Sequence, residues 1–255
     1  MSKIVAVANQ KGGVGKTTTA INLSACLAHL GKKTLLIDLD PQGNSSTGLG
    51  IDKKNTELSV YDVIINDTAI RDAAIDTVQP GLRLCPSSMN LAGAEVELVS
   101  QISRESRLSD ALKEVRDEYD YIFIDCPPSL GLLTLNALTA ANTVLVPIQC
   151  EYFALEGLSQ LMETVRIVQK RLNKDLEVEG VVLTMFDSRT NLSVEVAEEV
   201  RKHFTNRVYQ TLIPRNVKLS EAPSYGLPIV LYDINSKGAA AYIELAKEFI
   251  AVSER

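Results

Sequence analysis

The string Lys11-Gly12-Gly13-Val14-Gly15-Lys16-Thr17-Thr18 limits the choice of fold more than any other part of the chain. It follows a short apolar run, Ile4-Val5-Ala6-Val7-Ala8, and precedes a helix-like run from Ala20 to Leu30. Strand, glycine-rich turn and helix in that order are what a phosphate-binding loop requires. Its glycines let backbone N–H groups turn inward around an anion with no Cβ in the way. The helix directs the positive end of its dipole at the same point. Lys16 is then placed to reach the β- and γ-phosphates of a nucleotide, and the Thr17 hydroxyl to bind Mg²⁺.

The spacing departs from the common pattern G-x-x-x-x-G-K-[ST], which calls for a glycine at position 10. This chain has Gln10 there, and a second lysine, Lys11, heads the loop. The form K-G-G-x-G-K-T is the deviant Walker A motif. A solvated loop lysine is the plain alternative for Lys11.

The chain has 255 residues, 45% hydrophobic and 23% charged, an ordinary globular profile. That length can bury a large core and is expected to form one domain over 1–255. No apolar run reaches the ~20 residues needed to span a bilayer. Strand-like sequence begins at Lys3, which leaves no room for a signal peptide and sets a cytoplasmic expectation. Cys26, Cys85, Cys126 and Cys150 show no C-x-x-C spacing, so buried thiols are expected rather than a zinc site. Aromatics make up 5% with no tryptophan, a poor basis for stacking single-stranded bases. The net charge of −6 gives no overall attraction to nucleic acid. Locally, Arg201, Lys202, Arg207, Arg215 and Lys218 cluster between Val200 and Ser220 with no acid among them. A solvated face is the plain reading of that cluster.

Apolar runs alternate with helical patterns. Strands are expected at 3–8, 34–39, 82–85, 120–125, 143–148, 179–184 and 208–213. Helices are expected at 17–30, 59–65, 88–99, 104–118, 130–140, 153–172, 192–204 and 237–252. Gly31 should stop the first helix, Ser59 with Asp62 resembles a capping box, and Ser236 can cap the last helix. The alternation predicts an α/β fold, a doubly wound and mostly parallel sheet with helices on both faces. The segment 41–80 is the least regular.

In such a fold a nucleotide lies beyond the C-terminal ends of the strands. Two acid clusters fall there. Asp125 follows Tyr121-Ile122-Phe123-Ile124, the pattern of a carboxylate that holds Mg²⁺. Asp38 and Asp40 end the second strand run. Asp40 lies past the strand end and is assigned to positioning or deprotonating an attacking water; Asp38 is assigned a structural role. Lys16 supplies one positive charge to the transferring phosphoryl group, and Lys11 could supply another in the manner of an arginine finger.

Taken together, these strings resemble the ParA/Soj family of chromosome- and plasmid-partitioning ATPases, within the wider deviant Walker A group. The likeness runs from Asn9 to Thr18, through Asp38 to Asn44, Asp125 to Ser129 and Gln149 to Gly157, to Ile213–Asn216 and Leu219–Ser224. It implies ATP and Mg²⁺ as cofactors and a homodimer with ATP between the subunits. Lys11 would cross to the partner's phosphates, Gly12 would sit at the close subunit contact, and Asp40 would be the catalytic acid. Pro214 to Asn216 would lie near adenine. It further implies non-specific binding to double-stranded DNA, with Arg189, Arg215 and Lys218 as the contacts by family position. A ParB/Spo0J-like partner would stimulate hydrolysis through a basic segment, and the protein would be associated with the nucleoid in segregation or replication control.

Three other readings share the loop. A MinD-like membrane switch needs a C-terminal amphipathic anchor with a basic face. Here Tyr242 to Arg255 carries mixed, net acidic charge, and a docked core helix is expected instead. A metabolic ATP-dependent enzyme would need a small-molecule acceptor. An iron–sulfur carrier would need cluster cysteines at a subunit interface, and Cys126 has no convincing mate.

Overall fold

The computed structural model describes residues 2–53, 56–151, 154–204 and 207–253, with backbone only for 154–157. Tyr152, Phe153 (where the expected helix 153–172 begins), Glu254 and Arg255 lie outside the described residues.

Among the described residues, seven strands form one sheet: β1 (Lys3–Val7), β2 (Thr34–Asp38), β3 (Ile75–Asp76), β4 (Leu82–Cys85), β5 (Tyr121–Asp125), β6 (Thr143–Gln149) and β7 (Glu177–Thr184). Their order is β3-β4-β2-β5-β1-β6-β7, parallel throughout except for the short β3. β2 and β5 are buried along their whole length, as strands covered on both faces must be. Alternate residues serve two cores. Ile4, Leu35, Ile37, Ile122 and Ile124 face one, while Val5, Val7, Leu36 and Phe123 face the other. The second core is closed by α1 (Lys16–His29) and α12 (Lys237–Ser253). The first is closed by α3 (Val60–Ile65), α5 (Leu91–Leu98), α6 (Arg107–Leu112), α7 (Leu132–Ala140), α8 (Ala154–Arg171) and α9 (Asn191–His203). Ala239, Tyr242, Leu245, Ala246 and Phe249 of α12 are buried there, the docked helix the tail pattern predicts. Among the described residues, no helix is long and apolar enough to cross a membrane.

The local stop and start signals behave as read. Gly31 has φ 87° and donates to Ala28 O, with Lys32 donating to Leu27 O. Ser59 and Asp62 form a reciprocal capping box. Ala239 N donates to Ser236 Oγ.

Three expectations need correction. Besides the expected α3, the segment 41–80 holds α2 (Asn44–Gly48), α4 (Ile70–Ala73) and β3, elements too short to show a period. The helix expected at 104–118 is regular only as α6; beyond it Lys113, Val115 and Glu118 bond three residues back in tight turns. The strand expected at 208–213 is reduced to two bridges, Val208 with Val181 of β7 and Pro214 with Phe186 just past the end of β7. Between them Glu248 of α12 accepts from Gln210 N and Thr211 N at 2.7 and 3.0 Å, which lifts the backbone off the ladder. Past it come α10 (Val217–Glu221), a 3-10 turn (Ala222–Tyr225) and α11 (Ile229–Tyr232).

Strand register fixes where chemistry can occur. Asp125 is the Cα partner of both Val7 and Asp38, so the loop after β1 and the two acids meet at one end of the sheet.

Candidate functional site

The loop from Lys11 to Gly15 leads directly into α1. Gly13 and Gly15 have φ 75° and 86°, conformations an L side chain rarely adopts. Val14 is buried between them, and its carbonyl accepts from Thr184 Oγ1 at 2.8 Å. No side chain caps the α1 N-terminus, which leaves its first N–H groups for an outside acceptor. Asn9 steadies the entrance: its Nδ2 donates to Pro147 O at 2.8 Å, and its Oδ1 accepts from Lys11 N at 3.0 Å.

Lys16 is buried, and its Nζ spans the loop to Lys11 O at 3.1 Å. Burial holds its pKa below the usual lysine value, opposed by the nearby Asp125 and Asp40. Gly12 is different. A Cβ there would meet nothing within 4 Å, so the chain's own packing does not demand a glycine. Lys11 forms an ion pair with Glu151, just past β6.

Three carboxylates converge below the loop. Asp38 Oδ2 accepts from Ser46 N and Oγ at 2.7 and 2.6 Å. Asp125 Oδ2 accepts from Ser45 Oγ at 2.8 Å, and the Thr17 hydroxyl bonds the same carboxyl group. The Oδ1 atoms of both acids are buried with no hydrogen-bond partner. The strand ends at Asp38, which frees Asp40 to turn with its loop. Asp40 Oδ1 accepts from Gln42 N at 2.9 Å, and its carbonyl accepts from Ser87 Oγ at 2.8 Å.

Burial first, and repulsion between the acids second, raise the pKa of Asp125 to about 7; burial likewise raises Asp38 to about 6. A site that makes two buried acids this hard to ionise is short of positive charge. The orphaned Asp125 oxygen beside Thr17 fits a hard divalent cation that completes its shell with water and phosphate oxygens. Among the described residues no group of three or more His, Cys, Asp or Glu forms a cage of its own.

These shifts make a stability prediction. An acid with a raised native pKa adds stability that is full below its unfolded value and lost as pH climbs through the native value. For this pair the loss runs from about pH 4 to about pH 7. Asp125→Asn is therefore expected to stabilise the nucleotide-free protein near pH 7.5 by about 1–3 kcal/mol, with little gain near pH 4.5. Thermal melts of both proteins across that range check it. A gain independent of pH would contradict it.

A cavity of about 350 Å³ opens on the other side of α1, lined by Gly15, Thr18, Thr184, Met185, Pro214 and Asn216. Pro214 and Asn216 thus come to the loop from more than 190 residues away in sequence. The exposed basic residues gather at a corner nearby. Asp187 accepts a two-pronged bond from Arg189 Nε and NH2 at 2.9 and 2.7 Å and also feels Arg215. Lys218 pairs with Glu221 at 3.2 Å. The cluster is thus less positive than its sequence suggests, though exposed pairs of this kind cost little to exchange. Arg201 and Lys202 lie apart, in the last turn of α9.

The sequence did not single out Ser45, Ser46, Ser87, Thr184 or Glu151 as site residues. Ser45 and Ser46 follow the Asp-Pro-Gln-Gly-Asn run, which could have drawn attention to them. Ser87 and Thr184 stand in no such run and carry no comparable signal.

Comparison with known proteins agrees with this geometry. The AAA_31 family, described as an AAA domain, matches residues 2–178. The sporulation initiation inhibitor protein Soj of Bacillus subtilis is 61% identical over 251 residues, covering 98% of this chain and 99% of the relative. The chromosome-partitioning ATPase Soj of Treponema pallidum is 54% identical, covering 98% of each. Among solved structures, a cobyrinic acid a,c-diamide synthase from Mycobacterium smegmatis with bound ATP analogue and magnesium superposes with TM-score 0.88 at 39% identity. That match covers 100% of this chain and 96% of the other.

Proposed function

The chain belongs to the ParA/Soj family of chromosome-partitioning ATPases, and from that premise we propose that it is an ATP-driven dimerising switch that binds DNA without sequence preference. The observation that carries the nucleotide site is the meeting of Lys16, Thr17 and the orphaned oxygen of Asp125 at an uncapped helix N-terminus. In this reading the loop N–H groups from Lys11 to Thr18 cradle the phosphates, and Lys16 exchanges the Lys11 carbonyl for β- and γ-oxygens. Thr17 and Asp125 would hold Mg²⁺, which neutralises charge on the phosphates. Pro214 and Asn216 border the adenine. Asp40 orients the attacking water and accepts its proton. Lys11 leaves Glu151 and crosses to the partner's phosphates. The absence of any internal reason for a glycine at position 12 supports a close approach by a second chain there.

Dimerisation supplies the affinity for DNA. Two copies of the Arg189, Arg215 and Lys218 corner double the number of phosphates neutralised, Z, and so steepen the salt dependence, whose slope is about −0.9Z. A ParB/Spo0J-like protein stimulates hydrolysis and releases the dimer. The protein would then act in the cytoplasm on the nucleoid.

The direct test is retention on DNA with ATP, with ADP and without nucleotide; only ATP should retain it. Gly12→Val is expected to keep ATP affinity within a few-fold yet remain a monomer by light scattering. An ATP-dependent dimer of that variant would remove Gly12 from the contact. Arg189→Glu with Lys218→Glu should lower DNA affinity by about tenfold or more and flatten its salt slope. Unchanged retention would discard that corner.

The printed name of the Mycobacterium smegmatis structure favours a second reading, a metabolic ATP-dependent enzyme. The higher identity to Soj over the whole chain weighs against it. It predicts turnover that depends on a small acceptor and ignores DNA.

A further inference from the structure

Asp40 sits on a turn that is closed from within. Gly43 N donates to Asp40 O at 2.8 Å, and Gln42 N to Asp40 Oδ1 at 2.9 Å. These bonds set the shape of the turn. They do not fix its place, because β2 ends at Asp38 and the bond of Leu39 N to Asp125 O leaves Asp40 just past the sheet. An acid that orients a water needs a fixed place as well as a fixed shape. A shift of about 1 Å in a reacting group can cost about a hundredfold in rate.

Two buried serines supply that place. Ser87 Oγ donates to Asp40 O at 2.8 Å, a second bond onto a carbonyl that Gly43 N already satisfies. Its role is therefore to tie the turn down rather than to rescue a stranded acceptor. Ser87 N donates to Ser46 Oγ at 3.0 Å. Ser46 in turn grips Asp38 Oδ2 through its hydroxyl at 2.6 Å and its N–H at 2.7 Å. One chain of bonds thus runs from the end of β2, through α2 and the segment after β4, back to the turn. Ser46 and Ser87 are both fully buried, so bulk water does not compete for these bonds.

The segment that carries Ser87 is itself anchored. Cys85 pairs with Ile37 of β2, Val60 N donates to Pro86 O at 2.8 Å, and the hydroxyls of Ser59 and Ser88 share a hydrogen bond at 3.0 Å. Neighbouring hydroxyls on one platform therefore have different duties: Ser87 holds the Asp40 turn, and Ser88 holds the start of α3.

We propose that Ser87 and Ser46 are positioning residues for ATP hydrolysis, which hold the Asp40 turn where its carboxylate meets the attacking water and act only through Asp40. The inference rests on the ATPase reading and the role of Asp40 given above.

The test compares the full chain with Ser87→Ala, Ser46→Ala and Ser88→Ala. Phosphate release is followed at saturating ATP and Mg²⁺, ATP affinity by titration with a fluorescent analogue, and folding by thermal melts. Ser87→Ala should lower kcat by about tenfold to a hundredfold while ATP affinity stays within a few-fold. Ser46→Ala should lower kcat in the same way, so the result does not depend on one variant folding. Ser88→Ala removes a hydroxyl of the same kind from the same platform and should leave kcat near wild type. The double variant separates positioning from general weakening. In an Asp40→Ala background, Ser87→Ala should change the remaining turnover by less than about twofold, since nothing is left to position. A further tenfold loss there overturns the inference, as does an equal loss in Ser88→Ala. Wild-type kcat in folded Ser87→Ala or Ser46→Ala overturns it too. In each of these cases the ATPase reading stands. Absence of turnover in the wild-type chain would instead reject that reading, and the inference with it.

Discussion

Asp40→Ala is expected to slow ATP turnover by about 10²–10⁴-fold, the usual contribution of a positioned base, while ATP affinity stays within a few-fold. The reasons lie in the loop geometry. Asp40 is nearly buried and placed by its neighbours: Ser87 holds its carbonyl and Gln42 N one carboxylate oxygen. Neither Thr17 nor the carboxyl group of Asp125 hydrogen-bonds to it. On the proposed assignment, removing the carboxylate would take away water activation and spare the phosphate cradle. DNA retention with ATP should persist instead of decaying. Normal hydrolysis by this variant would show that another group activates the water. Lys16→Ala is the contrasting case, since losing the lysine that reaches across the loop should abolish the response to ATP altogether.

Lys11→Ala should cost about 10³–10⁵-fold in turnover, the range for a cationic finger supplied in trans. Mixing decides whether it acts across the dimer. In a dimer of one Lys11→Ala and one Asp40→Ala subunit, the first subunit keeps Asp40 and receives an intact Lys11 from the second. One complete site forms. Statistical mixing of equal amounts should then restore roughly a quarter of wild-type turnover, because half the two-fold dimers are mixed and each has one live site. If Lys11 acted within its own chain, no mixture could assemble a complete site and turnover would stay at the level of the single variants.

The loop, the acids and the alternation of strands and helices could be read from the sequence because each is a local pattern. Lys16 and Thr17 are set by their distance from Gly15, and Asp125 by four apolar residues before it. The different positions of Asp38 and Asp40 could also be anticipated, since the strand ends between them. What remained hidden depends on contacts distant in sequence. Nothing near Ser87 or Thr184 shows that they hold Asp40 and Val14. The basic cluster at 200–220 looked unpaired because carboxylates that pair with it, Glu199 and Glu221, lie just outside that window. The strand expected at 208–213 had the right composition, and only the approach of Glu248 from α12 spoiled it.

That intrusion bears on how copies of this chain can meet. A sheet that ends in a bare ladder invites a neighbour to add a strand, and such growth does not stop at two. Here the outer rim of β7 is already covered by 207–215, and the donors at 210 and 211 are spent on a helix carboxylate. On this flank backbone pairing has little left to offer. In the proposed dimer, association on this flank would rest on side chains and a bound anion, so a change of that anion would let the two copies come apart as readily as they join.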